Sequence, residues 1–177
     1  MQGEEEMKIS IRKFERSDIP KKIEWINNPE NNRYLHYDIP LEQEKTEKWF
    51  DKNKDRTDRY DAVIVADGKP CGTIGLLQID RKNCKAEYYI AMGETSLKGK
   101  GIATRASEMI LDYAFNKLEL NKVYLMTETE NIAAQKLFEK VGFIKEGILH
   151  EDIISRRKYV DRYVYGICKR DYLGEGK

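Results

Sequence analysis

The chain has 177 residues and nearly balanced charge, with 32 Lys and Arg against 31 Asp and Glu. This length fits one domain of ordinary size and is short for two independent cores. The balance excludes a global attraction to nucleic acid or to an anionic membrane. We therefore expect one active site, local charge recognition, and neither nucleic acid nor membrane as a partner.

The cysteines and the polar start of the chain favour a cytoplasmic protein. Cys71, Cys84 and Cys168 are odd in number and lack a C-x-x-C pair, so we expect reduced thiols and no zinc site. The start is acidic where a signal peptide is basic, and no apolar run is long enough to cross a bilayer. The predicted organisation is a flexible N-terminal extension at 1–7, one domain at 8–173 and a flexible tail at 174–177.

The first third of the chain predicts a strand and two helices. Residues 8–14 alternate apolar and polar side chains, as a half-buried strand does. Ser17 stands where a helix N-cap is expected, and a helix follows to about Ile26. After a loop at 29–40, residues 41–52 are rich in Glu, Lys and Gln and predict a second helix.

The remaining two thirds predict strands joined by helices. Three antiparallel strands are expected at 60–66, 72–79 and 84–92. A helix at 102–118 and a strand at 122–127 then complete a parallel crossover. A second such unit has a helix at 132–141, a stop at Gly142 and a strand from Phe143, and the last clear strand is 159–168.

A segment with two glycines, which we name the glycine loop, spans residues 97–104 (Leu-Lys-Gly-Lys-Gly-Ile-Ala-Thr). It joins a strand to a helix N-terminus, where backbone donors converge and bind anions. Gly99 and Gly101 let the backbone approach a diphosphate. Added positive charge is expected from Lys98, Lys100 and Arg105. A P-loop motif is absent, and a Rossmann turn needs a third glycine where Thr104 stands.

Two motifs together resemble the GNAT superfamily of N-acetyltransferases. Residues 98–103, Lys-Gly-Lys-Gly-Ile-Ala, resemble its acetyl-CoA signature Q/R-x-x-G-x-G/A, with Lys in the first place. Residues 131–143, NIAAQKLFEKVGF, resemble its N-x-x-A-x-x-x-Y-x-K-x-G-F run at the family's distance. Alone, the second run is also an ordinary capped amphipathic helix. The resemblance runs from about Lys8 to Cys168.

The resemblance implies an α/β fold with a mixed, mostly antiparallel central sheet, a splayed parallel strand pair and helices on both faces. It implies transfer of acetyl from acetyl-CoA, the co-substrate, directly to a primary amine without a metal. The acceptor classes left open are amino sugars, polyamines and protein N-termini, and a homodimer is one arrangement. The rival hypothesis is a protein that binds acyl-CoA in the same cleft without turnover.

Cofactor-binding residues follow from the same resemblance. Backbone amides near Ile90 and Ala91 are expected to polarise the thioester carbonyl, while Asn131 bonds pantetheine. Asn131 as a simple helix cap and Lys136 as a solvated lysine are the alternatives. The full set is Ile90, Ala91, Met92, Lys98, Gly99, Lys100, Gly101, Ile102, Ala103, Thr104, Asn131, Lys136 and Phe138.

Glu87 is our candidate general base, acting through water, because a carboxylate on this strand is costly to bury unless it faces a cleft. The alternative is a Glu that faces solvent or pairs across the sheet. Phe138 occupies the family's usual general-acid Tyr position and cannot donate a proton. A thiol of pKa near 8.5 leaves as thiolate at neutral pH for roughly 2 kcal/mol. Other candidate donors are Tyr88, Tyr89 and Tyr124.

The acceptor side is implied at residues 27–40 and 150–161. Substrate-binding candidates are Tyr34, His36, Tyr37 and Asp38, with Glu151 and Asp152 as further polar residues. Each is equally compatible with an ordinary polar loop. His36 and His150 lack a metal-ligand spacing. Residues 25–34 are similar to nucleotide-sugar amine acetyltransferases, and residues 146–149 to ribosomal-protein alanine and polyamine acetyltransferases.

Overall fold

The computed structural model describes residues 6–172 and 174, and in that range one sheet carries helices on both faces. The strands are β1 (Ile9–Lys13), β2 (Tyr60–Ala66), β3 (Lys69–Asp80), β4 (Lys85–Met92), β5 (Lys122–Glu128), β6 (Ile144–Ser155) and β7 (Lys158–Cys168). The helices are α1 (Ile19–Asn27), α2 (Pro29–Asn32), α3 (Gln43–Asn53), α4 (Ile102–Asp112), α5 (Ile132–Val141) and α6 (Lys169–Tyr172).

The strand order is β1-β2-β3-β4-β5-β7-β6. Every neighbouring pair is antiparallel except β4 and β5, which run parallel. This confirms the mixed, mostly antiparallel sheet and the first crossover, which passes through α4. The second crossover, β5-α5-β6, is also parallel, but β7 lies between its two strands and pairs with both.

Alternating residues of β2 serve two separate cores. Ala62 and Ile64 pack with the buried face of α4, whereas Val63 and Val65 face the side of the sheet that carries α1 and α3. Successive strand residues point to opposite faces, so one apolar strand can hold helices on both. The predicted two-sided arrangement is confirmed.

The prediction that Ser17 caps the first helix is wrong. Ser17 lies inside a single turn of 3₁₀ helix at Arg16–Asp18, and α1 begins at Ile19. The carboxylate of Asp18 accepts hydrogen bonds at 2.8 Å from the Arg12 guanidinium and from the Glu15 amide. A charge-assisted contact with β1 therefore fixes the start of this helix, and it depends on tertiary structure.

Two other element boundaries differ from the prediction. The helix predicted to reach 118 is α-helical only to Asp112, and a π-helical turn at Tyr113–Lys117 follows. In that turn the Leu118 amide bonds the Tyr113 carbonyl at 2.9 Å. The loop predicted at 29–40 contains α2, whose N-cap Asn28 accepts a bond from the Glu30 amide at 3.0 Å.

Met7, in the predicted N-terminal extension, contacts the folded domain. Met7 packs against the main core, and its carbonyl accepts a hydrogen bond from Arg105 at 3.1 Å. The predictions for residues 1–5, 173 and 175–177 lie outside the described residues. Across residues 6–172 and 174, no helix is both long and apolar enough to span a bilayer.

We expect Ile110→Ala to lower the free energy of unfolding by about 2–5 kcal/mol, because a buried side chain on α4 would leave a cavity. Chemical denaturation measures the change. Ile144→Ala is the control, since Ile144 is 59% exposed on β6 and its loss is expected to matter by less than about 0.5 kcal/mol. Equal losses for the two variants would contradict this core.

Candidate active site

A cavity of about 690 Å³ opens where β4 and β5 separate. The two strands pair only at Lys85–Glu87 and Lys122–Tyr124 and then diverge. Residues 88–92 of β4 and 125–128 of β5 line the gap. Since the backbone groups of a strand alternate between its neighbours, amides of β4 beyond Glu87 face the gap without a partner strand. The predicted splayed pair is confirmed.

The glycine loop enters α4 with an open backbone. Gly99 and Gly101 have φ of +78° and +76°, and a Cβ at either would meet no atom within 4 Å. Gly101 is the N-cap of α4, and no side chain caps the helix. Ile102 buries its side chain in the core, while Ala103 and Thr104 are half-buried. The first amides of α4 thus stay available to an anion at the positive end of the helix dipole.

Two lysines supply the positive charge of the glycine loop. Lys98 and Lys100 are exposed there, and the Lys98 ammonium lies 3.4 Å from the Glu30 carbonyl oxygen. Arg105, the third expected cation, binds the Met7 carbonyl on the side of β1. The structure therefore gives Arg105 a structural contact that ties α4 to the start of the chain.

The α5 helix places two of its three predicted residues at the cavity. Asn131 lines the cavity and also caps the helix, accepting a bond from the Ala134 amide at 3.3 Å. Phe138 lines it as well, with its ring edge-on to Tyr88 at a centroid distance of 5.9 Å. Lys136 is exposed and does not line the cavity.

Glu87 is the last β4 residue paired with β5 and lines the cavity at the point where the strands part. Its carboxylate accepts a hydrogen bond from the Gln78 amide at 3.0 Å. Burial raises the pKa of Glu87, and the positive charge of Arg162 only partly opposes this. A half-buried carboxylate with a raised pKa is a better proton acceptor than a solvated one.

The tyrosines proposed as substitute acids differ in their placement. The Tyr88 hydroxyl lies 2.7 Å from the Ser107 hydroxyl, and burial raises the pKa of Tyr88. Tyr89 donates to the Asp61 carboxylate at 2.6 Å. Tyr124 does not line the cavity. The two tyrosines that reach the site therefore already have hydrogen-bond partners.

The loop after α2 forms the opposite wall of the cavity. Tyr34, His36 and Tyr37 line it, and the Tyr34 hydroxyl donates to the Glu130 carbonyl at 3.2 Å. Asp38 is exposed and does not line it, so the structure does not bring this predicted substrate residue to the site. A free carboxylate keeps its hydration at the surface, whereas the neighbouring Tyr37 ring gains by burial.

Glu128, at the end of β5, joins this loop to the β6–β7 turn. Its buried carboxylate meets the His36 ring at 2.8 Å and the Arg156 guanidinium at 2.7 Å. Burial raises the pKa of Glu128, but these hydrogen bonds outweigh it and hold the pKa below its ordinary value. Arg156 also donates to the Arg33 carbonyl at 2.8 Å. His36 therefore has a partner within the protein.

Comparison with known proteins decides the family of this site. Residues 8–144 match the family model described as "Acetyltransferase (GNAT) domain". The chain belongs to the GNAT acetyltransferase family. It is an acetyl-CoA-dependent N-acetyltransferase, and acetyl-CoA is its co-substrate.

Individual GNAT relatives align over 65% to 96% of the chain. The spermidine N(1)-acetyltransferase of Escherichia coli (strain K12) is 31% identical over 171 residues, covering 96% of this chain and 90% of that protein. A putative ribosomal N-acetyltransferase of Bacillus subtilis is 35% identical over 117 residues, 65% of this chain and 62% of that protein. The spermidine N-acetyltransferase from Vibrio cholerae, crystallised with CoA and spermine, has a TM-score of 0.86 at 29% identity, covering 93% of this chain and 98% of that one.

The sequence analysis of this GNAT enzyme missed the polar groups at the inner end of the cavity. Asp61 accepts hydrogen bonds from Arg59 at 2.7 Å and from Tyr89 at 2.6 Å. Lys22 on α1 is buried and lines the same cavity. One signal was present, because Lys22 shares the apolar stripe of α1 with Ile19 at helical spacing. Arg59 and Asp61 are two positions apart, as residues on one face of a strand are, whereas the Tyr89–Asp61 hydrogen bond joins separate strands and carried no local signal.

We expect Gly101→Ala to weaken CoA binding by this GNAT domain at least about tenfold, because the added Cβ projects into the open space above the loop. The positive φ itself costs about 1–2 kcal/mol of stability. Gly68→Ala is a matched control, since Gly68 has φ +77° and equally open surroundings in the β2–β3 turn. The thermal shift caused by CoA is the measurement. Equal loss of the shift in both variants would contradict this site.

Proposed function

We propose that this N-acetyltransferase acetylates a primary amine of a small aliphatic polyamine, with Glu87 as the base. The observation that carries the proposal is the position of Glu87, half-buried with a raised pKa at the closed end of the β4–β5 gap, where the strands part. The polyamine class is supported by the spermidine acetyltransferases that align with at least 90% of both chains. Amino sugars and protein N-termini are the other acceptors to be compared.

Cofactor binding is proposed to follow the elements around the gap. The phosphates of acetyl-CoA bind the amides of Gly99 to Thr104, with Lys98 and Lys100 beside them. Pantetheine then passes between β4 and β5 along residues 90–92 towards Asn131 and Phe138. The open loop and the unpaired edge of β4 support this path. Lys136, which is exposed away from the gap, is proposed only to approach the nucleotide end.

Acceptor charge is proposed to be recognised by carboxylates that no arginine or lysine neutralises. Asp61 and Glu128 are ion-paired with arginines. Glu30 and Glu87 also line the cavity, and neither forms an ion pair within the described part of the chain. A polyamine carries more than one ammonium group, so two free carboxylates can each receive one. Tyr34, His36 and Tyr37 complete the wall that the chain of the polyamine contacts.

The proposed reaction is a direct attack of the amine on the thioester. Glu87 removes a proton from the acceptor ammonium through water, and the neutral nitrogen bonds the acetyl carbonyl carbon. Amides of β4 near Ile90 and Ala91 stabilise the oxyanion. The carbon–sulfur bond breaks and CoA leaves as a thiolate. The attacking nitrogen loses its second proton to solvent as the amide forms, and the thiolate takes one up from solvent. Phe138 needs no replacement acid, because a thiolate leaves readily near neutral pH.

We expect Glu87→Gln to lower kcat with spermidine by about 10²–10⁴-fold, the usual contribution of a general base. Thiol release with acetyl-CoA and a panel of polyamines, amino sugars and N-terminal peptides measures it. Glu108→Gln, at an exposed position of α4, is the control and should leave kcat unchanged. Native protein that binds CoA but releases no thiol with any acceptor would favour the rival hypothesis of a non-catalytic acyl-CoA-binding protein.

The pH profile provides an independent readout in the same assay. Glu87 acts as a base only when ionised, and burial raises its pKa above 4.5. Activity should therefore rise as pH increases through a value above 4.5, and this rise should be absent in Glu87→Gln. An unchanged profile in the variant would exclude Glu87 as the titrating base.

We also propose a cytoplasmic location and self-association. The three cysteines are free, which fits a reducing compartment. β6 is an edge strand with exposed apolar side chains, including Ile148 and Ile154, and such an edge favours pairing with another copy. A spermidine N-acetyltransferase of Vibrio cholerae has a dodecameric structure, so self-association occurs in a relative of this chain.

We expect native protein to have a solution mass of at least twice 20.8 kDa in light scattering. Ile154→Lys should shift it towards the monomer, because Ile154 is 67% exposed on the edge strand and a charge there opposes burial. Ile39→Lys is the control, since Ile39 is 51% exposed outside the sheet. A monomeric native protein, or equal effects of both variants, would contradict the β6 interface.

A further inference from the structure

Lys22 is a buried amine in the acceptor cavity to which the proposed reaction gives no role. It lies on α1 with 5% of its surface exposed. Its ammonium is 3.9 Å from the centre of the Trp49 ring and within 5.4–5.6 Å of the Tyr37 and Phe14 rings. Three aromatic rings therefore hold this cation by their faces.

No carboxylate neutralises Lys22 directly. Within the described residues its ammonium has neither an ion pair nor a hydrogen bond, and Asp61, the nearest charge of opposite sign, is bound by Arg59 and Tyr89. Burial lowers the pKa of Lys22 to about 8, although Asp61 opposes this and Arg59 adds to it. At a pKa of about 8, roughly a tenth of the amine is neutral and nucleophilic at pH 7.

The register of β4 places Lys22 on the face of the sheet where Tyr89 and Ala91 line the cavity. Tyr89, Ala91 and Gly93 alternate along β4 and its continuation, so they share one face. Trp25 of α1 packs directly on Gly93, where a Cβ would lie 2.2 Å from the indole. Lys22 precedes Trp25 by one helical turn, and its charge interacts with Asp61, which accepts a hydrogen bond from Tyr89 at 2.6 Å. Lys22 therefore lies on this face near Tyr89. Both Lys22 and Ala91 line the cavity.

We propose that Lys22 is a self-acetylation site, at which the enzyme transfers the acetyl group of its own bound acetyl-CoA to the Lys22 side chain when no acceptor occupies the cavity. The inference rests on the acetyl-CoA-dependent activity and concerns a modification of the protein itself. Acetyl-Lys22 would carry no charge and would fill part of the acceptor end. Self-acetylation would therefore lower acceptor turnover while leaving CoA binding intact.

The step balances without any further reactant. The neutral Lys22 nitrogen forms a bond to the acetyl carbonyl carbon, the carbon–sulfur bond breaks, and the electron pair leaves on the CoA thiolate. The nitrogen loses one proton to solvent, and the thiolate takes one up at its own pKa. The product is an amide in place of a desolvated ammonium without a counterion, which removes an unfavourable buried charge.

The test is lysine-by-lysine mass analysis of native protein incubated with acetyl-CoA and no acceptor. Lys21 is an internal control on the same peptide, because it is exposed while Lys22 is buried. Non-enzymatic acetylation of surface lysines by acetyl-CoA would favour the exposed Lys21. We expect occupancy at Lys22 to exceed that at Lys21 at least about tenfold, because an amine held beside the thioester reacts in an effectively unimolecular step. The first-order rate constant of Lys22 acetylation should not depend on protein concentration, as expected for transfer within one molecule.

The same preparation is assayed for CoA-induced thermal shift and for thiol release with spermidine. Lys22→Arg keeps a cation in the cage and should lose the time-dependent acetylation while retaining the CoA shift. Lys22 unmodified in protein that binds CoA and acetylates an acceptor would overturn the self-acetylation proposal alone. No CoA shift and no thiol release would overturn the proposed function together with it. Greater occupancy at Lys21 than at Lys22 would also overturn the proposal.

Discussion

The separation of β4 from β5 is the constraint on which the site depends. Beyond Glu87 and Tyr124 each strand keeps only its outer neighbour, β3 for β4 and β7 for β5. A sheet edge opened in the middle of a domain leaves backbone donors unpaired, which is costly unless water or a ligand satisfies them. The gap is stable because the outer ladders continue to the strand ends, and its free amides are available to an acyl carbonyl.

Charge around the cavity is divided between groups that hold the structure and groups left free. Arg59 neutralises Asp61, and Arg156 neutralises Glu128, so these carboxylates fix walls contributed by separate segments. Glu87 and Lys22 lack such partners, and burial shifts the pKa of each towards neutrality from opposite sides. One cavity thus holds a carboxylate that is a stronger base than usual and an amine that is a weaker one. Burial thus sets how readily Glu87 accepts a proton and how readily Lys22 gives one up.

Local patterns predicted the parts of the fold whose causes are local. Gly99 and Gly101 were identifiable because only glycine adopts their positive φ without strain, and strand alternation predicted the sheet. The prediction that Ser17 caps α1 was wrong because a contact between Arg12 of β1 and Asp18 sets the start of this helix. Lys22 was visible as a lysine in an apolar helical stripe, but its aromatic cage is built by side chains distant in sequence. Acceptor residues depend on loop placement, which periodicity does not encode.

Two hydroxyl groups connect the glycine loop to Tyr88 on β4, a residue that lines the cavity. Tyr88 bonds Ser107 at 2.7 Å, and Ser107 donates to the Ala103 carbonyl at 2.6 Å in the first turn of α4. The Phe138 ring packs against Tyr88 and carries no polar group that would compete for Ser107. These two hydrogen bonds join the first turn of α4 to β4 through side chains. Because Phe138 carries no hydroxyl, it does not compete with Ser107 for the Tyr88 hydroxyl, and Tyr88 is oriented by Ser107 on one side and by the Phe138 ring on the other.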